Sequence, residues 1–179
     1  MVRVFIAIEL PENIREAFVE AQKVLAVSGA RLTFVKPEAM HITLKFIGEI
    51  PPSVVEQVKD TLSTVSFEPF EMRLGAVSTN NPGNPRVIWV DCYDNSESSF
   101  LHGIIEDRLS LLGLEMDKRD YKPHATIARV RRNHASLKRQ VDQLGECDFG
   151  SYEVGSFTLR KSTLTPKGPI YEELLEVGF

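Results

Sequence analysis

A chain of 179 residues, 42% of them hydrophobic, fits one domain with a sizeable core and needs no metal or disulfide to explain its folding. A net charge of −4 argues against a surface coated in positive charge for duplex binding. Cys92 and Cys147 stand in neither a zinc nor a redox spacing, the N-terminus has no signal-peptide pattern, and no apolar run reaches membrane-spanning length. These features predict a cytoplasmic protein with idle thiols and no membrane association.

Residues 3–10 place Val4, Ile6, Ile8 and Leu10 on one side, the period of a half-buried strand. Pro11-Glu12 opens a helix to about Val27, with Ile14, Ala17, Phe18, Ala21, Val24 and Leu25 at helical spacing, and Ser28-Gly29 ends it. A short strand near 32–35 precedes a clear one over 41–47. There Ile42, Leu44 and Phe46 face one way and His41, Thr43 and Lys45 the other. A turn leads into a helix over 53–62. Strands over 71–78 and 86–92 then flank Asn80-Asn81-Pro82-Gly83-Asn84-Pro85, a run of turn-forming residues. The second half follows the same scheme: a helix over 98–112, a strand bearing His124, a helix over 135–144, and strands near 152–160 and 170–177.

His41 and His124 lie 83 positions apart, as do Thr43 and Thr126, while Phe67, Phe70 and Glu71 find Phe149, Tyr152 and Glu153 at 82. The segment Pro166-Lys167-Gly168-Pro169 echoes the loop Pro82 to Pro85. Two such units, approximately 1–92 and 93–179, are too few for a solenoid. They predict a single α+β domain over 1–179 made of two similar lobes. Each lobe is an antiparallel sheet with helices on its outer face, the pair related by a pseudo-two-fold axis with the active-site cleft between them.

In each unit a histidine and a threonine two apart on a strand share one face. One His-x-Thr is a weak signal; two at equivalent positions of a repeat are a strong one. Two imidazoles and two hydroxyls facing across a cleft suit a phosphodiester. One neutral imidazole takes a proton from water, the other, protonated, gives one to the departing oxygen, and the hydroxyls bind phosphate. The scheme requires neither metal nor cofactor, and the chain has no clustered ligand spacing and no P-loop. His102 lies in an apolar helical pattern and is assigned to packing; His134 sits at a helix start and is assigned to solvent. Between Asp117 and Gln140 stand eight basic residues against two acidic ones, a candidate anion-binding wall beside His124.

These stretches resemble the two-histidine (2H) phosphoesterases, specifically the RNA 2′,3′-cyclic phosphodiesterases long called 2′-5′ RNA ligases. The matching segments are Arg3 to Ile8, His41 to Glu49, Lys122 to Arg129, and Leu159 to Leu164 with Gly168 to Tyr171, in order along essentially the whole chain. Phe34 departs from the tryptophan frequent in relatives. The resemblance implies hydrolysis of RNA ends carrying a 2′,3′-cyclic phosphate to 2′-phosphomonoesters, with RNA 3′ ends, tRNA fragments among them, as partners and 2′-5′ joining of tRNA halves as the reverse activity. It makes His41 the proton donor and His124 the base, with Thr43 and Thr126 holding phosphate; the residues themselves do not order the two histidines.

Arg129 and Lys45 complete the candidate site. On a regular strand Arg129 lies opposite His124 and reaches the cleft only across a bulge; otherwise it is a surface arginine. Lys45 has the parity of His41 but equally fits a solvated strand lysine. Two other functions compete: a non-catalytic RNA-end binding module, and a phosphodiesterase for a small cyclic nucleotide. With no coiled-coil heptads, a monomer is expected.

Overall fold

The computed structural model describes residues 1–166 and 168–179, so Lys167 of the predicted 166–169 turn lies outside the described residues. Among these residues nine strands and four helices follow in the order β1 Val2–Glu9, α1 Glu12–Ala26, β2 Arg31–Phe34, β3 His41–Ile50, α2 Pro52–Leu62, β4 Phe70–Thr79, β5 Val87–Tyr93, α3 Glu97–Ser110, β6 His124–Arg132, α4 Leu137–Leu144, β7 Asp148–Val154, β8 Ser156–Thr165 and β9 Gly168–Gly178. A 3-10 turn, Pro37–Ala39, leads into β3. Among the described residues no helix is long and apolar enough to cross a membrane.

The strands form one antiparallel sheet in the order β7-β4-β5-β6-β3-β1-β8-β9, with β2 added on β6. It divides at its middle. β1, β3, β8 and β9 make one lobe, β2, β4, β5, β6 and β7 the other, and the central strands β3 and β6 meet at Ile42 and Ala125. Each lobe draws on both halves of the chain. α1 leaves β1 yet packs against β6, β7 and α4, whereas α3 leaves β5 and packs against β3 and α2. The lobes are thus braced by each other's helices. Glu71 and Glu153, which suggested the 82-residue offset, are direct cross-strand partners within one lobe.

The strand expected near 152–160 is two strands. The break is Gly155, where the chain leaves β7 at the far edge of one lobe and enters β8 beside β1 in the other. β1 is buried on both faces from Val4 to Ile8, not on one. It lies between β3 and β8, and Phe5 closes its second face against His41 and Tyr171.

Helical spacing buries Ile14, Phe18, Ala21 and Leu25 of α1, and Val55, Val58 and Leu62 of α2, against the side of the sheet that carries Ile42 and Ile127. Pro52 at the first position of α2 costs the helix no hydrogen bond, because that amide would have no partner inside the helix. With Ile42, Leu44, Ala125 and Ile127 nearly inaccessible, the face of both central strands that carries His41 and His124 rests on a packed floor.

Candidate active site

Both central strands carry the same irregularity. In β3, Thr43 pairs with Ala7 and Lys45 with Ile6, leaving Leu44 as an extra residue. In β6, Thr126 pairs with Trp89 and Ala128 with Ile88, leaving Ile127 extra. Leu44 and Ile127 are themselves 83 positions apart. A bulge reverses the parity beyond it.

The reversal carries Phe46 and Arg129 onto the face of the histidines and sends Lys45 and Ala128 to the buried one. Each bulge is pinned from behind by a helix. The imidazole Nδ1–H of His102 on α3 donates to the Leu44 carbonyl at 2.8 Å. The amide of Gln22 on α1 donates to the Ile127 carbonyl at 2.9 Å and to that of Val35 at 2.7 Å. His102, expected to pack in the core, also stacks on Tyr121. His134 is exposed and bonded to Ser136, as expected of a solvated residue.

Lys45 therefore does not face the cleft. Its ammonium is enclosed, 2.7 and 2.8 Å from the two Glu106 carboxylate oxygens and 2.9 Å from the Glu115 carbonyl. The expectation that it binds substrate assumed unbroken alternation, which the Leu44 bulge ends.

His41, Thr43, His124, Thr126 and Arg129 line one cleft of about 420 Å³, together with Arg3, Lys36, Phe46, Arg131 and Tyr171. The two histidines are held alike. Nδ1–H of His41 donates to the Ala39 carbonyl at 2.8 Å, and Nδ1–H of His124 to the Lys122 carbonyl at 2.8 Å. A carbonyl only accepts, so the proton sits on Nδ1 and Nε2 is left toward the cleft. Thr43 Oγ1–H donates to Nε2 of His41 at 3.1 Å.

Aromatic rings fix the imidazole planes. His41 lies against Phe5 and Tyr171, with centroids at 4.8 and 5.4 Å, and His124 against Trp89 at 5.0 Å. Directly across the ladder from His41 stands Glu9, and from His124 Asp91. Glu9 accepts from Thr158 at 2.9 Å and pairs with Arg160 at 3.2 Å. Asp91 accepts from the Trp89 indole at 2.8 Å and from the Ser78 hydroxyl.

Burial pushes the pKa of His41 down and outweighs the opposing pull of the Ala39 hydrogen bond and Glu9; Arg160 and His124 push it the same way as burial. Burial also keeps the Tyr171 phenol protonated beyond its usual range.

Four cations, Arg3, Lys36, Arg129 and Arg131, line the cleft, and among the described residues no aspartate or glutamate does. Of the predicted basic window only Arg129 and Arg131 are there. Arg119 pairs with Asp117 and Lys138 with Asp142, away from it. Sequence reasoning assigned no role to Glu9, Asp91, Trp89, Tyr171 or Lys36. Glu9 and Asp91 carried a usable signal, since they are 82 positions apart and so keep nearly the offset of the histidines. Among the described residues no group of three or more potential metal-binding side chains occurs.

The model of the LigT like phosphoesterase family matches residues 8–89 and 98–171. An RNA 2′,3′-cyclic phosphodiesterase of Archaeoglobus fulgidus is 38% identical over 174 residues, 96% of this chain and 97% of the relative. One of Methanocaldococcus jannaschii is 38% identical over 178 residues, 97% of this chain and 99% of its own. A crystal structure from Thermus thermophilus superposes with a TM-score of 0.82 at 28% identity, covering 98% of this chain and 97% of the other. That of E. coli LigT complexed with 3′-AMP gives 0.82 at 21% identity over 99% and 98%, a likeness of fold.

Proposed function

Since the chain belongs to the LigT like phosphoesterase family, we propose that it hydrolyses the 2′,3′-cyclic phosphate at RNA 3′ ends to a 2′-phosphomonoester. The observation that carries this reading is the matched pair of imidazoles. Each is locked through Nδ1 to a carbonyl two residues earlier, and each turns Nε2 to a cleft whose charged lining, among the described residues, is cationic.

In the reaction a water oxygen bonds to phosphorus, the bond from phosphorus to the 3′ oxygen breaks, and the 2′ ester remains. The family resemblance makes His124 Nε2 the acceptor of the water proton and His41 Nε2 the donor to the 3′ oxygen. A donor must arrive protonated, and burial opposes that in the free protein. The phosphate anion seated between Thr43 and Thr126 supplies the countercharge that favours the imidazolium. The threonine hydroxyls and Arg129 donate to the non-bridging oxygens, where charge collects in the transition state. A 5′-hydroxyl in place of water gives a 2′-5′ linkage by the same proton transfers, which is the proposed route to joining tRNA halves. The protein is proposed to act as a monomer, which sedimentation tests.

An oligoribonucleotide ending in a 2′,3′-cyclic phosphate is the test substrate, with a chelator present. Wild-type protein is expected to turn it over, and His41→Ala and His124→Ala each to lose about 10²–10⁴-fold. Phosphorus NMR should find the product phosphate on the 2′ oxygen. No turnover by wild type, or full turnover in both variants, sinks the proposal.

A further inference from the structure

β2 and β6 continue as a paired ribbon past the phosphate site, with β5 flanking β6 as far as Val130, and the cations of this end of the cleft lie on the ribbon or beside it. Beyond the Ile127 bulge, Arg129 and Arg131 alternate with the buried Val130, so both stand exposed on the cleft side. Their attachment points are separated by two residues of strand, roughly 7 Å. That is the order of one phosphate-to-phosphate step in an extended single strand.

Arg131 is already aimed. Its Nε donates to Thr33 Oγ1 on β2 at 3.0 Å, which leaves the two terminal nitrogens of the guanidinium for an outside acceptor. Lys36, exposed where β2 leads into the 3-10 turn, lines the same end. Farther along, Arg31 and Arg132 are direct cross-strand partners, a like-charge pairing that costs the free protein and that a polyanion relieves. Among the described residues no carboxylate pairs with any of these five cations. The acid nearest in sequence, Glu38, lines a separate depression against α1.

We propose that this ribbon is the track for the RNA strand itself. The phosphodiester on the 5′ side of the terminal nucleotide sits on Arg131 and Lys36, while the cyclic phosphate occupies the paired histidines. The inference rests on the proposed hydrolysis and names its substrate class: a single strand of two nucleotides or more, in preference to a cyclic mononucleotide.

Two substrates with the same terminal base decide it, adenosine 2′,3′-cyclic phosphate and an oligoadenylate ending in that group. Wild type should favour the oligomer in kcat/KM by ten-fold or more, and Arg131→Ala should shrink that ratio about ten-fold. Arg131→Lys should keep part of it, and Lys36→Ala should act in the same direction. The salt dependence of oligomer KM, as log against log, should lose about one unit of slope in Arg131→Ala. A residue that merely supports the fold would lower both substrates and leave the ratio alone. Equal wild-type turnover of the two substrates, or an unchanged ratio and slope in Arg131→Ala, overturns the track but not the hydrolysis. Turnover of neither overturns both.

Discussion

Removing either member of the Lys45–Glu106 pair tests whether this lysine belongs to the fold or to the chemistry. Both side chains are under 5% exposed, and the ammonium has three oxygen partners within 3 Å. In Lys45→Met the Glu106 carboxylate is left with the Asp117 amide at 3.2 Å and the His102 ring at 3.9 Å, neither of which replaces an ammonium. In Glu106→Leu the lysine keeps one carbonyl. Breaking a buried pair from one side costs about 3–5 kcal/mol. For a chain of 179 residues that is a fall in Tm of about 8–13 °C. The paired change Lys45→Met with Glu106→Leu removes both charges and should recover most of the loss, giving a coupling energy of several kcal/mol in the cycle. Exposed pairs such as Lys23–Glu20 set the contrast, at about 1 kcal/mol or less. Calorimetry and urea unfolding measure the four proteins, and turnover of the cyclic phosphate is assayed well below each Tm. If Lys45→Met kept its Tm and lost turnover, the lysine would act on substrate and the bulge argument would fail.

The pH profile follows from the direction of the His41 shift. If His41 is the donor, kcat/KM falls as pH rises through the lowered pKa of the free protein, whereas kcat, which reports the complex with its phosphate bound, falls only at higher pH; coincident upper limbs, or the reverse order, would count against His41 as donor. Gln22→Leu strips the side-chain donor from two carbonyls behind the β6 bulge, and a loss of about 1–3 kcal/mol in urea unfolding is expected. A raised KM should accompany it as Arg129 loses its aim, and unchanged stability would show that the bulge holds its own shape.

Sequence pattern sufficed wherever a residue's environment depends on its own element. The helices follow from apolar spacing, and the pairing of the two triplets from a shared offset. It failed where the environment is set by a strand far away in the chain. Lys45 and Phe46 exchange faces because Leu44 has no partner on β1, and register against β1 is not a property of β3 alone. Arg129 owes its place in the cleft to the same irregularity against β5. Val4 to Ile8 read as half-buried because nothing in that segment tells that β8, more than 140 residues later, pairs beside it, or that His41 and Tyr171 close over Phe5. The division of the lobes was hidden for a related reason. A duplicated sequence suggests that each half folds on itself, yet here the helix of each half packs on the sheet of the other.

The duplication supplies a symmetric backbone, and the side chains then break the symmetry. Hydrolysis of a cyclic phosphate asks different things of the two imidazoles, one to accept a proton and the other to donate it. Equivalent positions hold Glu9 and Asp91, but Glu9 is answered by the cation Arg160, while among the described residues Asp91 is answered by the neutral donors Trp89 and Ser78. Equivalent bulges deliver a phenylalanine on one side and an arginine on the other, and Phe46 is itself covered by Arg3 at 4.8 Å. His41 is enclosed by Phe5 and Tyr171, which disfavours its charge until an anion arrives. The two His-x-Thr strands thus share a construction down to the carbonyl that fixes each tautomer. Their neighbours differ, and around His41 those on β1, β8 and β9 are what lower its proton affinity.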